Sequence, residues 1–213
     1  MKLVTGIKAD SLTQQKKKKA RAVVCGNFQR KTEGEELYTA NADITSVRAV
    51  LAASVPRHFG CKVLDVKTAF LNAHLPDSFE TVFVRPPQVL VEFGLVAPGT
   101  IWRAVKAIYG LRISPKAWGV ERDRQLRKMS IDVDGETYIF HQSHIDPSVW
   151  TVVRGRISPE GLGVPIHDAY SPDNPYSVPL GYIVGYDDDF LLTVIDPIIN
   201  NITEEIKKYW KIT

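Results

Sequence analysis

Two hydrophobic periods share this chain. Ala20-Arg21-Ala22-Val23-Val24-Cys25 alternates loosely and is rich in β-branched residues, the pattern of a strand. From Asp43 the period lengthens, and Ile44, Val47, Val50, Leu51 and Val55 recur at spacings of three and four. That predicts a helix with Asp43 as its N-cap, ended by Pro56 and Gly60. Short apolar runs predict strands over 61–66, 79–84 and 101–105, the second stopped by Pro86-Pro87. Ser114-Pro115 opens another helix, serine as N-cap and proline at the first helical position. Its Trp118, Leu126 and Met129 are expected inward and several arginines outward. Strands are expected again over 149–153, 178–184 and 191–195. Asp196-Pro197 repeats the cap-then-proline start, and Ile198, Ile199, Ile202, Ile206, Tyr209 and Trp210 mark an amphipathic helix. This alternation of strands with a few helices suits a sheet with helices packed on one face.

Two stretches break the pattern. Residues 1–18 are polar and run into the lysines at 16–19, which reads as a flexible basic lead-in. Residues 154–179 are rich in proline and glycine and read as a long insertion loop. The length of 213 residues allows one large domain or two small ones. A net charge of +3 does not by itself announce a nucleic-acid binder, but the cations crowd 16–30 and return over 112–128. Cys25 and Cys61 are too few for a disulfide framework or a four-thiolate zinc site, so a reducing compartment is expected. No apolar run approaches the roughly 20 residues that cross a bilayer, and no signal peptide is legible, so no membrane partner and no secretion are expected. The sequon Asn201-Ile202-Thr203 therefore carries no expectation of glycosylation.

The candidate chemistry is acidic. Asp65 ends an apolar strand in Leu64-Asp65-Val66-Lys67-Thr68-Ala69-Phe70-Leu71-Asn72. Gly185-Tyr186-Asp187-Asp188-Asp189-Phe190-Leu191 places carboxylates in a turn between two apolar strands. Such a cluster is electrostatically costly unless a cation neutralises it. Magnesium, which takes one or two carboxylates together with phosphate oxygens, would do so.

The first segment is similar to the first palm motif of copia-type reverse transcriptases, and Tyr186-Asp187-Asp188-Asp189 fits their tyrosine–any–aspartate–aspartate motif. Between them, 107–118, with Tyr109-Gly110-Leu111-Arg112 and Pro115-Lys116-Ala117-Trp118, resembles the family's second palm motif. Lys19-Ala20-Arg21 and 26–29 resemble its fingers strand, and Asp146-Pro147-Ser148 a further short motif. The resemblance is collinear over about 19–195, and it implies an α+β fold, a right-hand polymerase fingers and palm over 19–213 with an antiparallel palm sheet and the thumb absent. It implies an RNA-directed DNA polymerase using two Mg2+ ions, with Mn2+ as the alternative, held by Asp65, Asp188 and Asp189. Phe70 would be a steric gate against a 2′-hydroxyl, and Tyr109, Gly110 and Arg112 would line the nucleotide pocket and template side. Lys19 and Arg21 are both candidates to grip the incoming phosphates. Implied partners are an RNA or DNA template with its primer, a deoxynucleoside triphosphate, and the integrase and ribonuclease H of a parent polyprotein. The implied location is a cytoplasmic virus-like particle or the nucleus.

Some residues depart from the pattern. The family's variable position before the two aspartates is normally apolar, and here it is Asp187, which would bind metal unproductively, repel the nucleotide or face solvent. Cys25-Gly26-Asn27-Phe28 stands where arginine, glycine and an aromatic are usual. Plainer readings stand beside the chemical ones. Asp65 as a strand-end cap, Phe70 as core, and His141 with His144 as ordinary structural residues are such readings, as are Trp118, Trp150 and Trp210 as core. The competing functions are an inactive retroelement relic that at most binds nucleic acid, and a divalent-cation binder without catalysis.

Overall fold

The computed structural model describes residues 1–9, 16–29, 37–76, 81–166 and 179–213. In chain order the elements are β1 (Lys2–Ala9), β2 (Lys16–Val23), α1 (Ile44–Ser54), β3 (Gly60–Asp65), β4 (Phe83–Val84), α2 (Gln88–Glu92), β5 (Trp102–Arg103) and α3 (Ser114–Leu126). They continue with β6 (Ser130–Val133), β7 (Glu136–Gln142), β8 (Val149–Ile157), β9 (Gly163–Pro165), β10 (Gly181–Tyr186), β11 (Asp189–Val194) and α4 (Ile198–Tyr209). The chain divides into two compact units, Met1–Tyr38 with Phe70–Trp118, and Thr39–Ala69 with Gly119–Thr213.

In the first unit, β1 and β2 form an antiparallel hairpin, so the flexible lead-in expected over 1–18 is corrected wherever the chain is described. Pairing satisfies the backbone of the lysine-rich run, while Lys16, Lys18 and Lys19 stay exposed to water. Charged side chains of this kind also discourage edge-to-edge aggregation. The strands expected over 79–84 and 101–105 shrink to β4 and β5, paired at Phe83–Arg103 and Val84–Trp102; residues 77–80 lie outside the described residues. Ala104, Leu111 and Ile113 form the buried core, with Val24, Leu37, Leu75, Val82 and Ile108 packed against them.

The second unit is built on a seven-stranded sheet in the order β3-β11-β10-β8-β7-β6, with β9 attached to β8. Every pairing is antiparallel. The α+β expectation is met, but the helices are not confined to one face. Strand alternation puts Tyr182, Val184, Leu191 and Thr193 on one side of the sheet and Ile183, Gly185, Phe190 and Leu192 on the other. Val47 and Val50 of α1 pack against Val149, Tyr182, Val184 and Leu191, and the Ser54 hydroxyl donates to Thr193 Oγ1 at 2.9 Å. On the opposite side Trp210 stacks on Phe190 at 5.7 Å, beside α4, whose Ile198, Ile199, Ile202 and Ile206 are buried. Each buried isoleucine contributes on the order of 2 kcal/mol.

Several elements differ from the sequence pattern. Ile44 and Leu51 of α1, and Val55 just past its end, are exposed, because the sheet receives only the stripe carrying Val47, Val50 and Ser54. Ser114 does not cap α3. It is the first helical residue, and its hydroxyl donates to the Ile108 carbonyl and accepts from the Ile108 N–H. Arg124 and Arg127 are exposed as expected, whereas Arg122 is 2% exposed; its Nε donates to Asp123 Oδ1 at 2.9 Å. A Cβ on Gly185 would stand 3.0 Å from the Arg122 guanidinium, so the glycine makes room for it. The hairpin β6–β7 was not foreseen, although Asp134-Gly135, both at positive φ, is a strong two-residue hairpin signal. The insertion expected over 154–179 is partly sheet: β8 runs to Ile157 and β9 folds back onto it, and 167–178 lie outside the described residues.

Polar contacts tie α1 to the sheet. Asp43 caps the helix, accepting from the Thr45 N–H at 2.7 Å, as expected. Asp146 Oδ2 accepts from the Asp43 N–H at 3.3 Å and its Oδ1 from the Ser148 N–H at 2.9 Å. Withdrawal from water pushes the Asp146 carboxyl up, but hydrogen bonds from Ser46, Ser148 and Asp43 together hold it below the usual carboxylate range. A lowered carboxyl stabilises the fold above its unfolded-state pKa and loses that contribution as pH falls. Asp146→Ala is therefore expected to cost about 1–2 kcal/mol in urea denaturation at pH 7, and less as the medium is acidified through the carboxylate range.

Candidate functional site

The second unit carries all of the candidate carboxylates. Register sets Asp65, the last residue of β3, directly opposite Asp189, the first residue of β11. Directly opposed residues share one face of the pleat, so Asp65 and Asp189 project together, and behind them Leu64 and Phe190 are buried. Asp187 and Asp188 form the two-residue turn between β10 and β11, closed by Tyr186 opposite Asp189. The backbone of the turn is tied to β3 as well, since the Val66 N–H donates to the Asp188 carbonyl at 2.8 Å. Thr213 pairs with Asp65 through both backbone groups, and its hydroxyl donates to Asp65 Oδ2 at 3.0 Å.

The electrostatics follow from this packing. Partial withdrawal from water, then the neighbouring charges of Asp188, Asp65 and Asp187, push the Asp189 carboxyl above its ordinary range. No ion pair among the described residues involves Asp65, Asp188 or Asp189. Among the described residues, too, no group of three or more His, Cys, Asp or Glu side chains is already gathered closely enough to hold a metal ion. The donor set itself fits a hard cation. It consists of carboxylate oxygens at a sheet edge, whose mutual repulsion a cation would relieve.

Asp187 has a different environment. Its φ of 47° suits the first position of a tight hairpin turn, where the chain must turn with positive φ. Its side chain is engaged with Asn41: Asn41 Nδ2 donates to Asp187 Oδ1 at 2.9 Å, and the Asp187 N–H donates to Asn41 Oδ1 at 3.3 Å. Sequence reasoning missed Asn41, a lone polar residue ahead of the α1 cap with no motif around it. Tyr186 is exposed at 55%.

The remaining candidates belong to the first unit. Phe70 is half-buried, with its ring 4.8 Å from that of Tyr109, and the guanidinium of Arg21 lies over the Tyr109 ring at 5.2 Å. Arg21 and Lys19 are exposed on β2, two positions apart and thus on one face of the hairpin. Gly110 has φ 89°, and a Cβ there would stand 2.0 Å from the Val24 carbonyl oxygen. A Cβ on Gly26 would stand equally close, 2.0 Å, to the Gly110 oxygen. Neither position admits a side chain, and this close approach lets the Val24 N–H donate to the Tyr109 carbonyl at 2.8 Å. Arg112 is half-buried, and its N–H donates to Gln29 Oε1 at 3.4 Å. His141 and His144 make an edge contact with each other at 5.9 Å in the second unit; burial, then the charge of His144, lowers the His141 pKa.

A carboxyl whose pKa is raised on folding stabilises the fold only below its unfolded-state pKa, and that contribution is lost as pH rises through the folded value. In buffer free of divalent cations, Asp189→Asn is therefore expected to raise the melting temperature by a few degrees at pH 7. The gain disappears below the ordinary carboxylate range, and melting curves across pH measure it.

Comparison with known proteins supplies the family. Residues 1–144 match the family described as Reverse transcriptase (RNA-dependent DNA polymerase), a span that includes Asp65, Phe70 and Tyr109 and ends before the turn at 186–189. The chain is 35% identical over 139 residues to the retrovirus-related Pol polyprotein from transposon RE2 of Arabidopsis thaliana, covering 65% of this chain and 9% of that protein. It is 27% identical over 196 residues to the corresponding polyprotein from transposon RE1 of the same plant, covering 91% of this chain and 11% of the relative. With that from transposon TNT 1-94 of Nicotiana tabacum the identity is 27% over 150 residues, 70% of this chain and 10% of the relative. The chain thus spans between 9% and 11% of the length of these relatives. No solved structure matches. No helix among the described residues is long and apolar enough to cross a membrane. Family match and curated relatives agree with the motifs, and the chain belongs to the reverse transcriptases of copia-type retrotransposon Pol polyproteins.

Proposed function

We propose that this chain is the fingers and palm of an RNA-directed DNA polymerase that adds deoxynucleotides to a primer 3′-hydroxyl on a nucleic-acid template. The observation that carries this reading is the register pair Asp65–Asp189, with Asp188 in the adjoining hairpin turn. Asp65, Asp188 and Asp189 would hold two Mg2+ ions, which when bound supply activation of the hydroxyl and neutralisation of the triphosphate and departing pyrophosphate. The chain's own contribution is positioning. The β3–β11 pairing fixes the backbone on which two of the carboxylates stand, with Leu64 and Phe190 buried behind them and β11 packed against α4. In the first unit, Tyr109 is anchored by the close approach of Gly26 and Gly110, and its ring meets that of Phe70 at a tilt of 54°, which gives the Phe70 ring a firm wall for excluding a 2′-hydroxyl. Lys19 and Arg21 offer exposed cations to phosphate oxygens. Gly110 and Arg112 would complete the nucleotide pocket and template side.

A second reading is an inactive relic that at most binds nucleic acid. It is favoured by one observation, that no three acidic or histidine side chains among the described residues are already drawn together. Primer extension on an RNA template with Mg2+ separates the two. Asp188→Asn is expected to abolish extension by about a thousandfold or more, as loss of several kcal/mol of charge stabilisation requires; extension absent from the unaltered chain supports the relic. Phe70→Ala is expected to raise ribonucleotide over deoxynucleotide incorporation by about tenfold. Unchanged sugar selectivity in single-nucleotide extension would remove the gate.

A further inference from the structure

Asn41 and Asp187 exchange two hydrogen bonds, side chain to side chain at 2.9 Å and backbone N–H to side chain at 3.3 Å. We propose that Asn41 is a positioning residue that holds the Asp187 carboxylate out of the cation site formed by Asp65, Asp188 and Asp189. The inference rests on reading that cluster as a cation site. Asp187 adjoins Asp188 in the turn, so a carboxylate released from Asn41 there would be an additional oxygen donor beside the cluster. Mg2+ demands a near-octahedral shell and keeps several positions for water and phosphate, so an extra carboxylate strengthens binding while taking a position the substrate needs. An asparagine is suited to prevent this. Its amide nitrogen donates to the carboxylate while its oxygen accepts from the backbone N–H of the same residue, whereas an apolar residue could do neither. An aspartate at 41 would repel Asp187.

Asn41 is itself held in place by its neighbours. Ala42 is buried at 7% exposure in the cluster with Val50, Val149 and Val184. Asp43 caps α1 through its side chain and donates its N–H to Asp146. The segment is thus pinned at the residues that follow, and the clasp holds the turn at φ 47° on Asp187, a conformation that a non-glycine residue does not adopt without cost.

The test is Mn2+ binding, followed by electron paramagnetic resonance at fixed pH and ionic strength on the full chain. The variants are Asp188→Asn, Asn41→Ala and Asn41→Ala with Asp187→Asn. Asn41→Ala is expected to tighten Mn2+ binding about tenfold while slowing primer extension. Adding Asp187→Asn returns the affinity to that of the unaltered chain, a rescue that general loosening of the turn would not produce. Asp188→Asn weakens binding. Unchanged or weaker binding in Asn41→Ala, with Asp188→Asn still weakened, overturns the role of Asn41 and leaves the cation site standing. Binding by Asp188→Asn equal to that of the unaltered chain overturns the cation site and the role of Asn41 with it. Where Asn41→Ala fails to fold, Asn41→Ser is carried through the same titration.

Discussion

Antiparallel pairing of β3 with β11 forces Asp65 and Asp189 onto one face of the sheet, directly opposite each other. Like charges opposed across strands destabilise a sheet, and here the adjoining turn adds two more carboxylates. The arrangement persists because the same two strands are secured on their other face, where Leu64, Phe190 and Leu192 are buried and Trp210 stacks on Phe190. Apolar burial on one side thus holds together a charge cluster on the other. Such an arrangement holds an electrostatic cost at the surface of the sheet.

Around the cluster, polar side chains fix the parts of the backbone that the sheet does not. Asn41, Asp43 and Asp146 lie on the segment entering α1 and on the connection between β7 and β8, and each accepts at least one backbone N–H. Short polar residues do this well because they satisfy otherwise unpaired backbone donors at helix starts and turns. The first unit uses a different device. The mutual approach of Gly26 and Gly110, possible only without side chains, sets the Tyr109 backbone, and Tyr109 then carries Phe70 on one contact and Arg21 on another.

Much of this was legible residue by residue. The asparagine–glycine and aspartate–glycine logic of tight turns applied at Asp134-Gly135 would have located β6 and β7, and passing over it was a misreading of a local signal rather than a lack of one. The lysine run at 16–19 misled for a better reason. Solvated lysines read as a tail, and only the presence of β1 to pair with makes them a strand. Arg122 is the exception among the helix arginines, since a charged residue is buried only where a partner and a space are supplied. Here Asp123 supplies the partner and Gly185, far along the chain, supplies the space.

The sequence alone determined the family, the α1 cap at Asp43 and the apolar stripe of α4, because these depend on local spacing and side-chain chemistry. It did not determine that α1 and α4 lie on opposite sides of the sheet, since an apolar helix stripe fits either face until the strands it covers are known. Nor did it determine where the Asp187 carboxylate goes. That depends on an amide 146 positions earlier, brought within 2.9 Å only once the sheet and α1 have packed. Pairings over such separations are fixed by how the layers close on one another, and no local pattern encodes them.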